Sequence, residues 1–199
     1  MATSTDPSKR SQLDHRAVFN IPNQLTSLRL LLSIVLFVLI EYEYFLAAMV
    51  VFMVAAGTDW LDGYWARKYG QVTTLGRILD PFVDKVIICG TFIFLVAEPK
   101  SGLVAWMAVV VVGRELLVTA LRGFLEGEGI DFSAAMSGKL KMVLQCAAAA
   151  FSLYRLSYGQ DTPPEWVQMG LMLSIWSAMI LTVYSGVMYV LAAIRLLRR

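Results

Sequence analysis

The sequence predicts an all-α membrane protein: six transmembrane helices behind a short N-terminal interfacial segment, with a polar cavity facing the cytosol. Three observations carry that prediction. The chain of 199 residues is 58% hydrophobic and only 16% charged, with a mean hydropathy of +0.64, more apolar than a soluble domain of this size. Its apolar residues fall into six runs, near 22–40, 45–66, 76–97, 102–125, 134–157 and 165–194. Each is long enough for the roughly 20 residues a helix needs to cross hydrocarbon. Of the 17 Lys and Arg, twelve lie on the side that holds both chain ends and two, Lys100 and Arg155, on the other, with Arg29, Lys85 and Arg114 inside the runs. Basic loops stay cytoplasmic, so both termini are expected in the cytoplasm.

Taken in order, residues 1–19 are polar, too polar for a cleaved signal. Within them, 13–19 is expected to form a short helix lying on the membrane, and 2–11 to be disordered; His15 is expected in solvent. The remainder, 20–199, reads as one six-helix domain. Pro22 suits the first turn of the first helix and Asn20 its cap. Asn23, Thr26 and Arg29 recur every three residues and so face one way. Glu41 and Glu43 mark an outer turn. The third run contains Pro81, which removes a backbone hydrogen bond and is expected to kink the helix beside Asp80. The sixth run is long enough to emerge from the bilayer. Glu126, Glu128 and Asp131 are expected in a solvated loop. Cys89 and Cys146 lie alone in apolar runs, which indicates neither a disulfide nor a metal site. The five tryptophans read as interfacial anchors or packing, and a net charge of +2 gives no ground for nucleic-acid binding.

The second and third runs carry the chemistry. Asp59, Asp62, Asp80 and Asp84 sit in segments otherwise apolar enough to enter a bilayer. An ionised Asp at a helix centre costs roughly 2.5–3.5 kcal/mol, so four cost on the order of 10 kcal/mol unless paired or metal-bound. Asp59, Asp62, Gly63 and Ala66 occupy i, i+3, i+4 and i+7, one face of a helix; Gly76, Asp80 and Asp84 occupy i, i+4 and i+8, one face of the next. Four hard oxygen donors at that density suit Mg²⁺ or Mn²⁺. The blander alternative is a set of helix-end carboxylates in water or paired with Arg67, Lys68, Arg77 and Lys85. At 1.5 Å per residue, Asp59 lies about 10 Å from the cytoplasmic end of its helix and Asp84 about 12 Å. With Arg29 and Arg114, these residues predict one hydrophilic cavity in the cytoplasmic half.

The pattern Asp59-x2-Asp62-Gly63-x2-Ala66-Arg67-x8-Gly76-x3-Asp80-x3-Asp84 is the full signature of the CDP-alcohol phosphotransferase family, and the chain resembles that family over roughly 20–195. The resemblance implies that Asp59, Asp62, Asp80 and Asp84 hold divalent metals and that Asp84 also acts as general base on the attacking hydroxyl. It implies that Asp62, Gly63, Ala66 and Gly76 admit the cytidine nucleotide and that Arg67 serves the diphosphate or braces the carboxylates. Asn23 and Thr26 would close the cavity near the nucleotide. It also implies a homodimer. Ile34 stands where the family commonly has proline.

A second group is cationic. Arg114 and Arg122, eight residues apart, share a helix face, and Lys139 and Lys141 follow on the next helix. A deep planar guanidinium suits a phosphate. The alternatives are that Arg114 pairs with Glu115 or an Asp, and that the others snorkel to the headgroups. Gly113-Arg114-Glu115 and Gly138-Lys139-Leu140-Lys141-Met142-Val143-Leu144-Gln145 resemble stretches of bacterial phosphatidylglycerophosphate synthases within the family, with Met142 in place of a usual threonine. That implies transfer of a phosphatidyl group from CDP-diacylglycerol to glycerol 3-phosphate, giving phosphatidylglycerophosphate and CMP, at the cytoplasmic (inner) membrane. Inositol phosphate, serine or another alcohol remain alternative acceptors. A small ion or proton transporter is the rival from another class, against which stands the absence of an internal repeat.

Overall fold

The six apolar runs become six α-helices. A computed structural model describes residues 21–69, 74–127 and 136–197. In chain order the helices are α1 (Ile21–Glu41), α2 (Phe45–Tyr69), α3 (Thr74–Ala97), α4 (Ala105–Gly127), α5 (Met136–Ser157) and α6 (Glu165–Leu197), and no strand occurs among the described residues. The expected interfacial helix at 13–19 and the expected loop positions Glu128 and Asp131 lie outside the described residues.

One boundary differs from the sequence expectation for a local reason. α4 starts at Ala105 rather than near 102. Gly102 adopts a left-handed φ of +77°, which ends any helical run through it. The Ser101 hydroxyl accepts from the Leu103 amide at 3.1 Å, and the Ser101 carbonyl accepts from the Ser152 hydroxyl at 2.7 Å. Polar side-chain chemistry therefore makes a turn where hydropathy alone continues the run. α2 and α3 extend toward each other, to Tyr69 and Thr74, and α3 continues through Pro81. The α1–α2 turn closes with Glu43 at a φ of 61°. The Glu43 amide donates to the Ile40 carbonyl at 3.0 Å and the Tyr44 amide to the Leu39 carbonyl at 2.8 Å, the paired bonds of a Schellman cap.

Round the bundle the order is α1, α2, α5, α6, α4, α3 and back to α1, and α3 also meets α5 across the middle. Close approach depends on two glycines. A Cβ at Gly90 would lie 2.2 Å from the Phe37 ring, which stacks on Phe94 at 5.0 Å; a Cβ at Gly170 would lie 2.5 Å from the Phe151 ring. The core runs from Leu36 and Ile40 of α1 through Phe52, Phe92 and Leu95 to Leu153 and Ile175. Outward faces stay apolar: Leu31, Val50, Val109, Leu173 and Ile180 are all exposed. Glu165–Leu196 is long and apolar enough to cross a membrane, and Phe45–Thr58 and Lys85–Ala97 are shorter apolar stretches.

Alternation of the helices places the turns at 41–44, 98–104 and 158–164 at one end of the bundle. Lys100 ties two of them, its ammonium donating to the Gly159 carbonyl at 3.0 Å and to Gln160 Oε1 at 2.7 Å. The starts of α1, α3 and α5 and the ends of α2, α4 and α6 form the opposite end.

Candidate active site

The carboxylates fall at that opposite end. Asp59 and Asp62 lie on the last part of α2, Asp80 and Asp84 on the first part of α3, and only residues 70–73 separate the two helices. Burial on the described part of each helix supplies the register. Along α2 the buried positions are Phe45, Ala48, Phe52 and Ala55, a regular three-four alternation. Continued, it reaches positions 59, 62 and 66: Asp59, Asp62 and Ala66. On α3, Val83, Ile87, Ile88, Thr91, Phe92 and Leu95 are buried. Asp84 precedes Ile88 by four residues, and Asp80 and Gly76 precede Asp84 by four and eight. Ala55 and Ile88 line a small cavity with Arg29, Met142 and Cys146. The carboxylate positions therefore belong to the helix faces that elsewhere make the core. The side chains of Asp59, Asp62, Gly63, Ala66, Arg67, Gly76, Asp80 and Asp84 are outside the described set. Among the described residues no cluster of His, Cys, Asp or Glu is fit to hold a metal. The donor set on α2 and α3 is all carboxylate, the chemistry of a hard divalent cation.

On α1, Thr26 and Arg29 share a buried face, as their spacing predicts. Ser33, one turn on, bonds back to the Arg29 carbonyl at 2.8 Å. The Asn23 side chain lies outside the described set.

Of the four expected phosphate-binding cations, the structure sets Arg114 and Arg122 against α6 and joins Lys141 to Arg114 through Glu115. Glu115 Oε1 accepts from Arg114 Nη1 at 3.3 Å and from the Lys141 ammonium. The pairing of Arg114 with Glu115 is thus realised. Lys141 does not snorkel: it is only 4% exposed. Arg114 Nε donates to Ser185 Oγ at 3.2 Å, and its guanidinium lies over the Tyr189 ring, 5.4 Å from the centroid. Arg122 Nη2 donates to the same tyrosine's hydroxyl at 3.4 Å. Arg114 and Arg122 share a face, as their spacing predicts, and Tyr189 is what they share it with. Gln145 Nε2 donates to Thr182 Oγ1 at 2.9 Å. The Lys139 side chain is not among the described ones. Arg114, Arg122 and Lys141 against Glu115 leave a net charge of +2, which matches a phosphate dianion. Thr182, Ser185 and Tyr189 were not singled out by sequence reasoning. Their only signal is polarity at i, i+3 and i+7 of an apolar helix, a spacing that hydroxyl residues also adopt for packing alone.

Residues 19–194 match the model of the CDP-alcohol phosphatidyltransferase family. The chain belongs to that family. Its curated relatives include the CDP-diacylglycerol–glycerol-3-phosphate 3-phosphatidyltransferase of Bacillus subtilis (strain 168), 36% identical over 187 residues, covering 85% of this chain and 92% of the relative. The enzyme of the same name from Escherichia coli (strain K12) is 36% identical over 181 residues, covering 88% of this chain and 95% of the relative. Membership in the CDP-alcohol phosphatidyltransferase family accounts for the spacing of the four aspartates along α2 and α3.

Proposed function

We propose that the chain transfers a phosphatidyl group from CDP-diacylglycerol to sn-glycerol 3-phosphate, giving phosphatidylglycerophosphate and CMP in phospholipid synthesis. One observation carries the reading: the buried stripe of α2 runs in register into Asp59 and Asp62, at the end of the bundle where α3 brings Asp80 and Asp84. The names of the curated relatives support the same donor and acceptor.

Asp59, Asp62, Asp80 and Asp84 hold the divalent cation, Mg²⁺ or Mn²⁺. Bound there, such a cation would neutralise diphosphate charge and polarise phosphorus toward attack. Asp84 takes the proton from the acceptor hydroxyl as its oxygen bonds to the phosphatidyl phosphorus. The bond from that phosphorus to CMP breaks, and CMP leaves with the electron pair. Gly63, Ala66 and Gly76 keep the helix faces low enough to admit the nucleotide, with Asn23, Thr26 and Arg67 at its edge. Arg114, Arg122, Lys139 and Lys141 receive the acceptor's phosphate, where each charge-assisted bond contributes about 1.5–3 kcal/mol. A neutral alcohol gains far less.

The apolar outward faces fit a bilayer setting for all six helices, with both termini cytoplasmic and the cavity open to the cytosol of the inner membrane. The segment 1–19 is a polar extension of one domain spanning 20–199. The functional unit is a homodimer.

The test is CMP release by the full chain in vesicles containing CDP-diacylglycerol, with each acceptor in turn. Glycerol 3-phosphate is expected to be turned over fastest. A chelator and Asp84→Asn are each expected to abolish turnover, the latter with nucleotide binding retained. Faster turnover of serine or inositol phosphate would remove the acceptor assignment. Full activity in excess chelator would remove the metal mechanism.

A further inference from the structure

The 33-residue α6 is apolar along most of its length, yet Thr182, Ser185 and Tyr189 lie on one face of it. They are buried, at 0%, 0% and 4% exposure. Each meets a polar group of α4 or α5: Thr182 meets Gln145, Ser185 meets Arg114, and Tyr189 meets both Arg114 and Arg122. The face between them is kept low by Gly186. A Cβ there would lie 3.2 Å from Arg114 Cγ, so the arginine stem lies along a position with no side chain.

Tyr189 acts on the two guanidiniums in different ways. Its ring carries Arg114, a cation–π contact that uses none of the guanidinium's donors. Its hydroxyl accepts one bond from Arg122 and adds no charge. A guanidinium has five donors in a fixed fork, so fixing one edge aims the rest. Arg122 Nε is buried and has no hydrogen-bond partner among the described residues. A buried donor left unpaired is costly, and an anionic oxygen relieves that cost.

We propose that Tyr189 is a positioning residue that holds Arg114 and Arg122 as one fork for the acceptor phosphate. Within α4, Glu115 holds one edge of Arg114, but both side chains are long and flexible. The α6 face supplies the missing constraint, and with it the preference for a phosphorylated acceptor. This rests on the reading of Arg114 and Arg122 as the acceptor pocket.

The experiment measures KM for glycerol 3-phosphate and for CDP-diacylglycerol separately, with the full chain in vesicles. Tyr189→Phe keeps the ring and loses the hydroxyl. It is expected to raise KM for glycerol 3-phosphate about fivefold, the size of one hydrogen bond, and to change KM for CDP-diacylglycerol by less than about twofold. Tyr189→Leu also removes the ring and is expected to raise the first KM by about a further threefold. In an Arg122→Ala background, Tyr189→Phe is expected to raise the same KM by less than in the wild type, since the part of its effect that passes through Arg122 is already lost. Loss of melting temperature with both KM values unchanged would overturn the positioning role, as would equal loss toward both substrates. If Arg122→Ala raises KM for glycerol 3-phosphate and Tyr189→Phe does not, the role of Tyr189 falls and the acceptor pocket stands. If Arg114→Ala and Arg122→Ala both leave that KM unchanged, the pocket itself falls.

Discussion

Replacing Glu115 by Gln removes a carboxylate that Arg114 and Lys141 share, while keeping shape and volume. The consequence follows from burial. The Lys141 side chain is 5% exposed and the Glu115 side chain 12%, so the ammonium cannot exchange its partner for water. Breaking a buried ion pair from one side costs about 3–5 kcal/mol, because the charge left behind is uncompensated. Arg114 keeps Ser185 and the Tyr189 ring and adds little to that cost. For a chain of this size each kcal/mol moves the melting temperature by about 2–4 °C, so Glu115→Gln is expected to lower Tm by roughly 6–20 °C. The assay is thermal unfolding of the detergent-solubilised protein, followed by intrinsic tryptophan fluorescence. Pairing the change with Lys141→Met removes the stranded charge together with its partner. That double variant is expected to be more stable than Glu115→Gln alone. A Tm within about 2 °C of wild type for the single variant, or no recovery in the double, would refute the view that Glu115 neutralises a buried lysine.

Three further outcomes are expected. Gly90→Ala puts a methyl group against the Phe37 ring, which is itself stacked on Phe94; a loss of about 1–3 kcal/mol in unfolding free energy is expected, and an unchanged Tm would mean that α1 and α3 separate freely. Burial, then the charges of Glu43 and Glu41, hold the Glu98 carboxyl above its ordinary value. The folded chain therefore binds that proton more readily than the unfolded chain, so the group's contribution is fully present below the unfolded value of about 4.3 and is lost as pH rises through the raised folded value. Glu98→Gln is expected to flatten that slope and raise Tm at neutral pH; an unaltered pH profile of Tm would contradict it. Reporter fusions at Arg199 and in the 98–102 turn are expected to lie on opposite sides of the membrane, and finding Arg199 outside would reverse the topology.

The sequence by itself determined the helices and marked the residues proposed to carry the chemistry. Six apolar runs leave an α-helix as the only way to satisfy the backbone within each, and the structure reproduces them closely. The exception is the start of α4, where Gly102 and Ser101 impose a turn that an apolar count cannot register. The aspartates stand out in the sequence because a carboxylate in an apolar helix is costly enough to be informative and because spacing alone assigns it a face; their side chains lie outside the described residues. Thr26 and Arg29 were legible for the same reason. Partnership across helices was not legible. Periodicity says that Arg114 and Arg122 share a face, but not that the face is turned to α6. The order round the bundle, with α6 between α4 and α5, follows from which surfaces fit. It is set by close approaches such as Phe151 over Gly170 and Arg114 along Gly186. Tertiary structure therefore decided that Glu115 is shared between Arg114 and Lys141, and that the hydroxyls of Thr182, Ser185 and Tyr189 meet polar side chains instead of only packing. Hydrogen bonds and ion pairs act over about 3 Å, and only the packing of the helices brings residues as distant in the chain as Arg114 and Ser185 within that range.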